Sequence, residues 1–133
     1  MNNDKVRIYL SGRMDGCTDE EKKAWRNQVK EIFPGSIDPC RHNYENPDYA
    51  GKLHHEIVEL DKRDIRNCDV LLVRYLRPSA GTCMEIIYAW TLGKPVVIWC
   101  EKDTILSPWV TYHSTSIVHS FDAMIQKVME VME

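Results

Sequence analysis

The chain has 133 residues, 44% apolar and 28% charged, with a formal net charge of −3 and a pI near 5.9; that length predicts a single domain, residues 1–133, with a real core. Acidic and basic residues interleave, as in "DEEKKAWRNQVKE", so there is no basic stripe for nucleic acid, and no apolar run is long enough to span a bilayer. Cys17, Cys40, Cys68, Cys83 and Cys100 are odd in number and form no C-x-x-C pair, which reads as reduced thiols in a soluble cytoplasmic protein without structural zinc.

In chain order, "VRIYL" from Val6 to Leu10 is β-branched and aromatic, and reads as a strand ended by "SG". Thr18 and Glu21 form a capping-box pattern, after which Trp25, Val29, Ile32 and Phe33 share one helical face until Pro34 and Gly35 stop it. "SIDPC" offers a brief second strand. Residues 41–52, "RHNYENPDYAGK", are polar, aromatic-studded and long for a connection in an α/β protein, and are the candidate lid.

Residues 53–67 read as a helix with Leu53, Ile57, Leu60 and Asp64 along its inner stripe. "DVLLV", Asp69 to Val73, is a buried strand, and "PVVIWC" from Pro95 another. Between them a loop with Arg74, Arg77 and Pro78 leads through "SAGT" into a helix that ends at Gly93. A short "SIVHS" precedes a last helix from about Phe121, with Met124, Ile125, Val128, Met129 and Met132 on its apolar side. This alternation predicts a doubly wound, mostly parallel five-stranded sheet flanked by helices, flavodoxin- or Rossmann-like. Ligands of such folds bind beyond the carboxyl ends of the strands, where "SGRMDG", "RYLRPSAGT" and "CEKDTILSP" lie.

Two carboxylates stand out there. Glu85 follows the SAGT turn and has two readings: the capping-box partner of Thr82, or a carboxylate held ionised by the first helical turn and aimed at a cleft for attack on an anomeric carbon. Asp64 sits where the helical period calls for an apolar residue; it reads either as a partner of Arg63 or Arg66, or as the acid that handles a leaving group's proton. Asp61 reads as surface or supporting. "YLSGRMDG" has the ingredients of an anion nest around Arg13, but is neither the dinucleotide fingerprint nor a P-loop. The histidines have no metal-ligand spacing, and Trp109 and Tyr112 read as contact residues between subunits.

Together "IYLSG", "DKRDIRNCDVLLV" and "PSAGTCMEIIYAWTLGKPVV" resemble the nucleoside 2-deoxyribosyltransferases and their relatives that hydrolyse nucleoside 5′-monophosphates, over Val6 to about Cys100. The resemblance implies Glu85 as the nucleophile that attacks C1′ and Asp64 as the aspartate at the departing base. It also implies Tyr9 and Gly12 beside the substrate, and Ser79 and Gly81 at the sugar's 5′ side. It implies no cofactor or metal, a nucleoside or nucleotide and a free nucleobase as partners, and a homodimer or larger homo-oligomer whose neighbour completes the pocket, here through "WVTYHSTS" and Ser114. Ser79 replaces an acid common in the transferases and resembles the monophosphate hydrolases; Asp15 stands where those hydrolases carry a basic residue, with Arg13 as a substitute. The implied reaction is transfer of deoxyribose between bases with retention, with monophosphate N-glycosidase or a non-catalytic nucleotide-binding module as alternatives.

Overall fold

The computed structural model describes residues 3–42 and 54–133. Four strands, β1 (Ile8–Ser11), β2 (Val70–Arg74), β3 (Val96–Trp99) and β4 (Ser116–Val118), form one parallel sheet in the order β1-β2-β3-β4. The helices are α1 (Asp19–Ile32), α2 (His54–Asn67), α3 (Ala80–Thr91), α4 (Pro108–Tyr112) and α5 (Phe121–Val131), with short 3₁₀ turns at Asn3–Lys5 and Pro39–His42. The expected lid, residues 41–52, lies outside the described residues except for Arg41 and His42.

The sheet has four strands among the described residues where the sequence suggested five. The missing strand is reduced to one bridge: Ile37 pairs with Tyr9, its N–H donating to Ile8 O at 2.7 Å and its carbonyl accepting from Leu10 N at 3.1 Å. Pairing stops because Pro39 has no N–H to give and Asp38 Oδ1 instead takes Cys40 N at 2.8 Å, turning the chain into the 3₁₀ turn.

Strand alternation divides the core. Ile8, Leu10, Val70, Leu72, Val97 and Trp99 face α1 and α5, joining Trp25, Val29, Met124 and Val128. Tyr9, Leu71, Val73, Val96 and Ile98 face the other way and pack with Ile65, Ile86, Ala89 and Val110 from α2, α3 and α4. This parity matters for function: Tyr9 and Ser11 both point toward α3.

The caps explain the helix boundaries. Thr18 and Glu21 complete the expected capping box at α1, at 3.0 and 3.1 Å. At α3 the cap is Ser79, not Thr82: Ser79 Oγ accepts from Thr82 N at 3.4 Å. Glu85 therefore lies in the second turn, and the capping-box reading of it does not hold. Gly93, at φ +74°, closes α3, with Gly93 N donating to Trp90 O and Lys94 N to Ala89 O in a Schellman arrangement.

Candidate active site

Above the carboxyl end of β1, and walled by α1, α2 and α3, lies a cavity of about 550 Å³. Glu85 lines it from α3, and both of its carboxylate oxygens are engaged. Tyr9 Oη donates to Oε2, and Ser11 Oγ donates to Oε1 at 2.8 Å. Two alternate residues of one strand thus hold one carboxylate, because period-2 geometry turns them to the same face of the sheet.

Glu85 is not held ionised by free N–H groups of a first turn, as the sequence suggested. Burial pushes its pKa up to about 7, the negative charge of Asp61 adds to the rise, and the bonds from Tyr9 and Ser11 and the charge of Arg26 oppose it. The residue keeps partial exposure and lines the cavity. A ligand filling that space would complete its desolvation.

The two aspartates of α2 take different positions. Asp61 lines the cavity between Ile57 and Ile65, at i, i+4 and i+8 on one helical stripe. Asp64 is 3% exposed and does not line the cavity. Its Oδ2 accepts from Arg41 Nη2 at 2.8 Å and lies 2.9 Å from His42 Nε2, while Arg63 Nη2 reaches Oδ1 at 3.4 Å. Burial alone would raise the pKa of Asp64, but the bonds from His42 and Arg41 outweigh it and hold it below the usual carboxylate range.

Asp64 thereby fastens the Pro39–His42 turn to α2. Asp64→Ala is expected to destabilise the fold by about 2 kcal/mol, since Arg41 is partly solvated but His42 is left facing a buried gap; urea denaturation measures this. Because the folded pKa is depressed, the contribution is present above the unfolded pKa and is lost as pH falls through the folded one.

The remaining sequence candidates separate in the same way. Gly12, Ser79 and Gly81 line the cavity with Glu85. A Cβ at Gly12 would sit 3.0 Å from Trp25 Cζ2 and 3.4 Å from Arg74 O, so the backbone there is pressed between α1 and β2. Arg13 turns back on its own loop, Nε donating to Asp15 O at 2.8 Å, and does not line the cavity. Ser114 Oγ donates to Thr111 O at 2.7 Å, away from the cavity of its own chain. Among the described residues no three His, Cys, Asp or Glu side chains converge as a metal group, and no helix is long and apolar enough to cross a membrane.

Gly81 is not needed for a turn: it is the second residue of α3, and a Cβ built there meets nothing within 4 Å. Gly81→Ala is expected to stabilise the helix by about 0.5 kcal/mol while weakening substrate binding, because the added methyl enters the cavity. Thermal unfolding and KM check the two halves separately.

Ser11, which bonds Glu85, and three cavity residues, Asp61, Lys22 and Lys23, escaped the sequence reading as site residues. Ser11 was signalled by its spacing of two from Tyr9 on a strand, and Asp61 by its spacing of four from Ile57 and Ile65. Lys22 and Lys23, in the first turns of α1, had no sequence signal, since the charge run around them reads as a solvated face. Yet Lys22 is 4% exposed, its Nζ lies 3.4 Å from Asp19 Oδ1, and both lysines line the cavity.

Residues 8–128 match the family model described as nucleoside 2-deoxyribosyltransferase. No curated protein sequence matches the chain. Among solved structures, the fold is similar to a 2-deoxyribosyltransferase from Bacillus psychrosaccharolyticus, with a TM-score of 0.74 at 18% identity over 90% of each chain. It is also similar to a conserved protein from Enterococcus faecalis, with a TM-score of 0.71 at 16% identity over 94% of this chain and 98% of that one. A CMP N-glycosidase from Clostridium botulinum gives a TM-score of 0.57 at 16% identity over 92% of this chain and 97% of that one. With the family model spanning nearly the whole sheet and all three walls of the cavity, the chain belongs to the nucleoside 2-deoxyribosyltransferase family, enzymes of the nucleoside and nucleotide N-glycosidic bond.

Proposed function

We propose that the protein cleaves the N-glycosidic bond of a 2′-deoxynucleoside by attack of Glu85 on C1′, and passes the sugar to a second nucleobase with retention. The observation that carries this reading is the Glu85 carboxylate, held by Tyr9 and Ser11 inside a cavity large enough for a nucleoside. As the Glu85–C1′ bond forms, the C1′–N bond breaks and its electron pair leaves with the base, which takes up a proton. A nitrogen of the incoming base then attacks C1′ and gives up its proton as the Glu85 carboxylate departs, balancing the proton taken by the first base; two inversions give retention.

The carboxylate that meets the departing base is assigned to Asp61 in this proposal, in place of Asp64, because Asp61 shares the cavity with Glu85 and Asp64 is taken up by Arg41 and His42. Gly12 would flank the sugar, with Ser79 and Gly81 near its 5′ end, whereas Tyr9, fully buried and not part of the cavity wall, acts through its bond to Glu85 and not beside the substrate. No residue requires a metal or redox group for these steps. The same reading includes a homo-oligomer, in which the exposed Trp109 and Tyr112 meet a neighbour and bring its Ser114 segment toward the cavity.

A second reading, release of free base from a nucleoside 5′-monophosphate, is favoured by Lys22 and Lys23, which place two cations on the cavity wall where a phosphate would find them. Chromatography separates the two. The purified protein is incubated with deoxynucleosides plus a different free base, and with 5′-monophosphates without acceptor. A new deoxynucleoside supports transfer; base released only from monophosphates overturns transfer in favour of hydrolysis; no product from either overturns both.

A further inference from the structure

Arg26 is a fully buried cation, 0% exposed, that the chemistry above does not use. Its guanidinium reaches β1 from the α1 face of the sheet. Nε donates to Leu10 O at 3.2 Å and Nη2 to Gly12 O at 3.2 Å, the two carbonyls that flank Ser11. Nη1 donates to Lys22 O at 2.5 Å, and Cζ stacks 4.5 Å from the Trp25 ring centre. Its nearest acidic partner, Asp38, is 3.8 Å away and is shared with Lys30 at 2.8 Å.

Such an arrangement is costly for core filling alone. A buried guanidinium facing mainly carbonyl dipoles recovers less of its hydration than one in a close carboxylate pair, and an apolar side chain would serve packing better. The planar fork has a geometric use that lysine cannot supply, since two N–H groups pin two carbonyls on either side of one residue.

We propose that Arg26 is a positioning residue for the active site: by fixing the Leu10 and Gly12 carbonyls it sets the strand end so that Ser11 Oγ is aimed at Glu85, and it places a permanent positive charge behind that carboxylate. The inference rests on Glu85 being the working group of the cavity. Gly12 is part of the same device, since a Cβ there would come 3.4 Å from Arg26 Nη2. The charge of Arg26 also acts to lower the pKa of Glu85.

The other ionisable groups near Glu85 are Tyr9 from β1, Asp61, His54 and Lys62 from α2, and Tyr88 from α3. Lys22 and Lys23 on α1, Asp15 in the first loop and Cys40 in the 3₁₀ turn share the cavity. Around Arg26 itself stand Asp38 and, through it, Lys30. None of these side chains is itself altered when Arg26 alone is changed.

The test is an NMR titration of the Glu85 carboxyl in protein labelled with ¹³C at the glutamate carboxyl carbon, its signal assigned by its loss in Glu85→Gln. Arg26→Met is expected to raise the Glu85 midpoint by about one pH unit and to lower kcat about tenfold or more with KM within about twofold. Arg26→Lys, which keeps the charge and loses the fork, is expected to give a smaller rise in the same direction. An unchanged midpoint in folded Arg26→Met overturns the proposal; if that variant does not fold, an unchanged midpoint in Arg26→Lys does so. A raised midpoint with unchanged turnover upholds the positioning and instead removes Glu85 from the reaction.

Discussion

Glu85→Gln is expected to lower the rate of glycosidic cleavage by about 10³-fold or more, equivalent to about 4 kcal/mol of lost transition-state stabilisation, while making the folded protein more stable at neutral pH. Both effects come from one property. The amide retains the size of the carboxylate, accepts from Tyr9 and can donate to Ser11, so the cavity stays filled and bonded. It cannot form the bond to C1′.

The stability half follows from linkage. The pKa of Glu85 is raised on folding from an ordinary 4.5 to about 7, so the folded state binds its proton more tightly than the unfolded chain. Its contribution is fully present below the unfolded pKa and is lost as pH rises through about 7, after which the cost is constant. Holding the ionised carboxylate in the cavity therefore costs about 3 kcal/mol at pH 8. Glu85→Gln removes that cost. Urea denaturation at pH 5 and pH 8 should show the variant gaining on the wild type only at the higher pH.

The second large effect is on the pH profile. Attack needs the ionised carboxylate, so kcat/KM should fall about tenfold per pH unit below a midpoint near 7. Two substitutions should move that acid limb in opposite directions. Tyr9→Phe removes a bond that favours the charged form and raises the midpoint; Asp61→Asn removes a neighbouring negative charge and lowers it. A limb near pH 4.5 in the wild type would mean that Glu85 is solvated in the working enzyme.

The parallel sheet was legible because continuous apolar runs such as Val70 to Val73 and Val96 to Trp99 can only be buried on both faces, and helices of clear period separate them. That Glu85, Gly12, Ser79 and Gly81 would meet at one cavity, with Tyr9 bonded to Glu85, was legible for a related reason: strand ends and the turns after them are short, so position in sequence nearly fixes position in space. The missing strand at Ile37 was less so. Whether a strand or a single bridge forms there depends on Pro39 and on the Asp38 side chain competing for Cys40 N.

Errors on α2 and α4 have physical causes as well. Taking Leu53, Ile57, Leu60 and Asp64 as one stripe left Asp61 outside it, although Ile57, Asp61 and Ile65 run along the cavity wall. On a helix packed against both a sheet and a pocket, two adjacent stripes are inside, and periodicity cannot say which one meets ligand. Arg41 and His42, which occupy Asp64, are distant in sequence. The five-residue α4 is too short to show a period, and only Ser107 capping Val110 N at 3.3 Å, with Pro108 at the first helical position, marks it.

A covalent bond between Glu85 and C1′ can be caught by mass spectrometry of the protein quenched in acid during turnover, using a 2′-deoxynucleoside and, in parallel, its 5′-monophosphate. A mass increase equal to the sugar, or sugar phosphate, is expected on the Glu85 peptide and is expected to be absent in Glu85→Gln. Turnover with no adduct at Glu85, or an adduct on another residue, would contradict it.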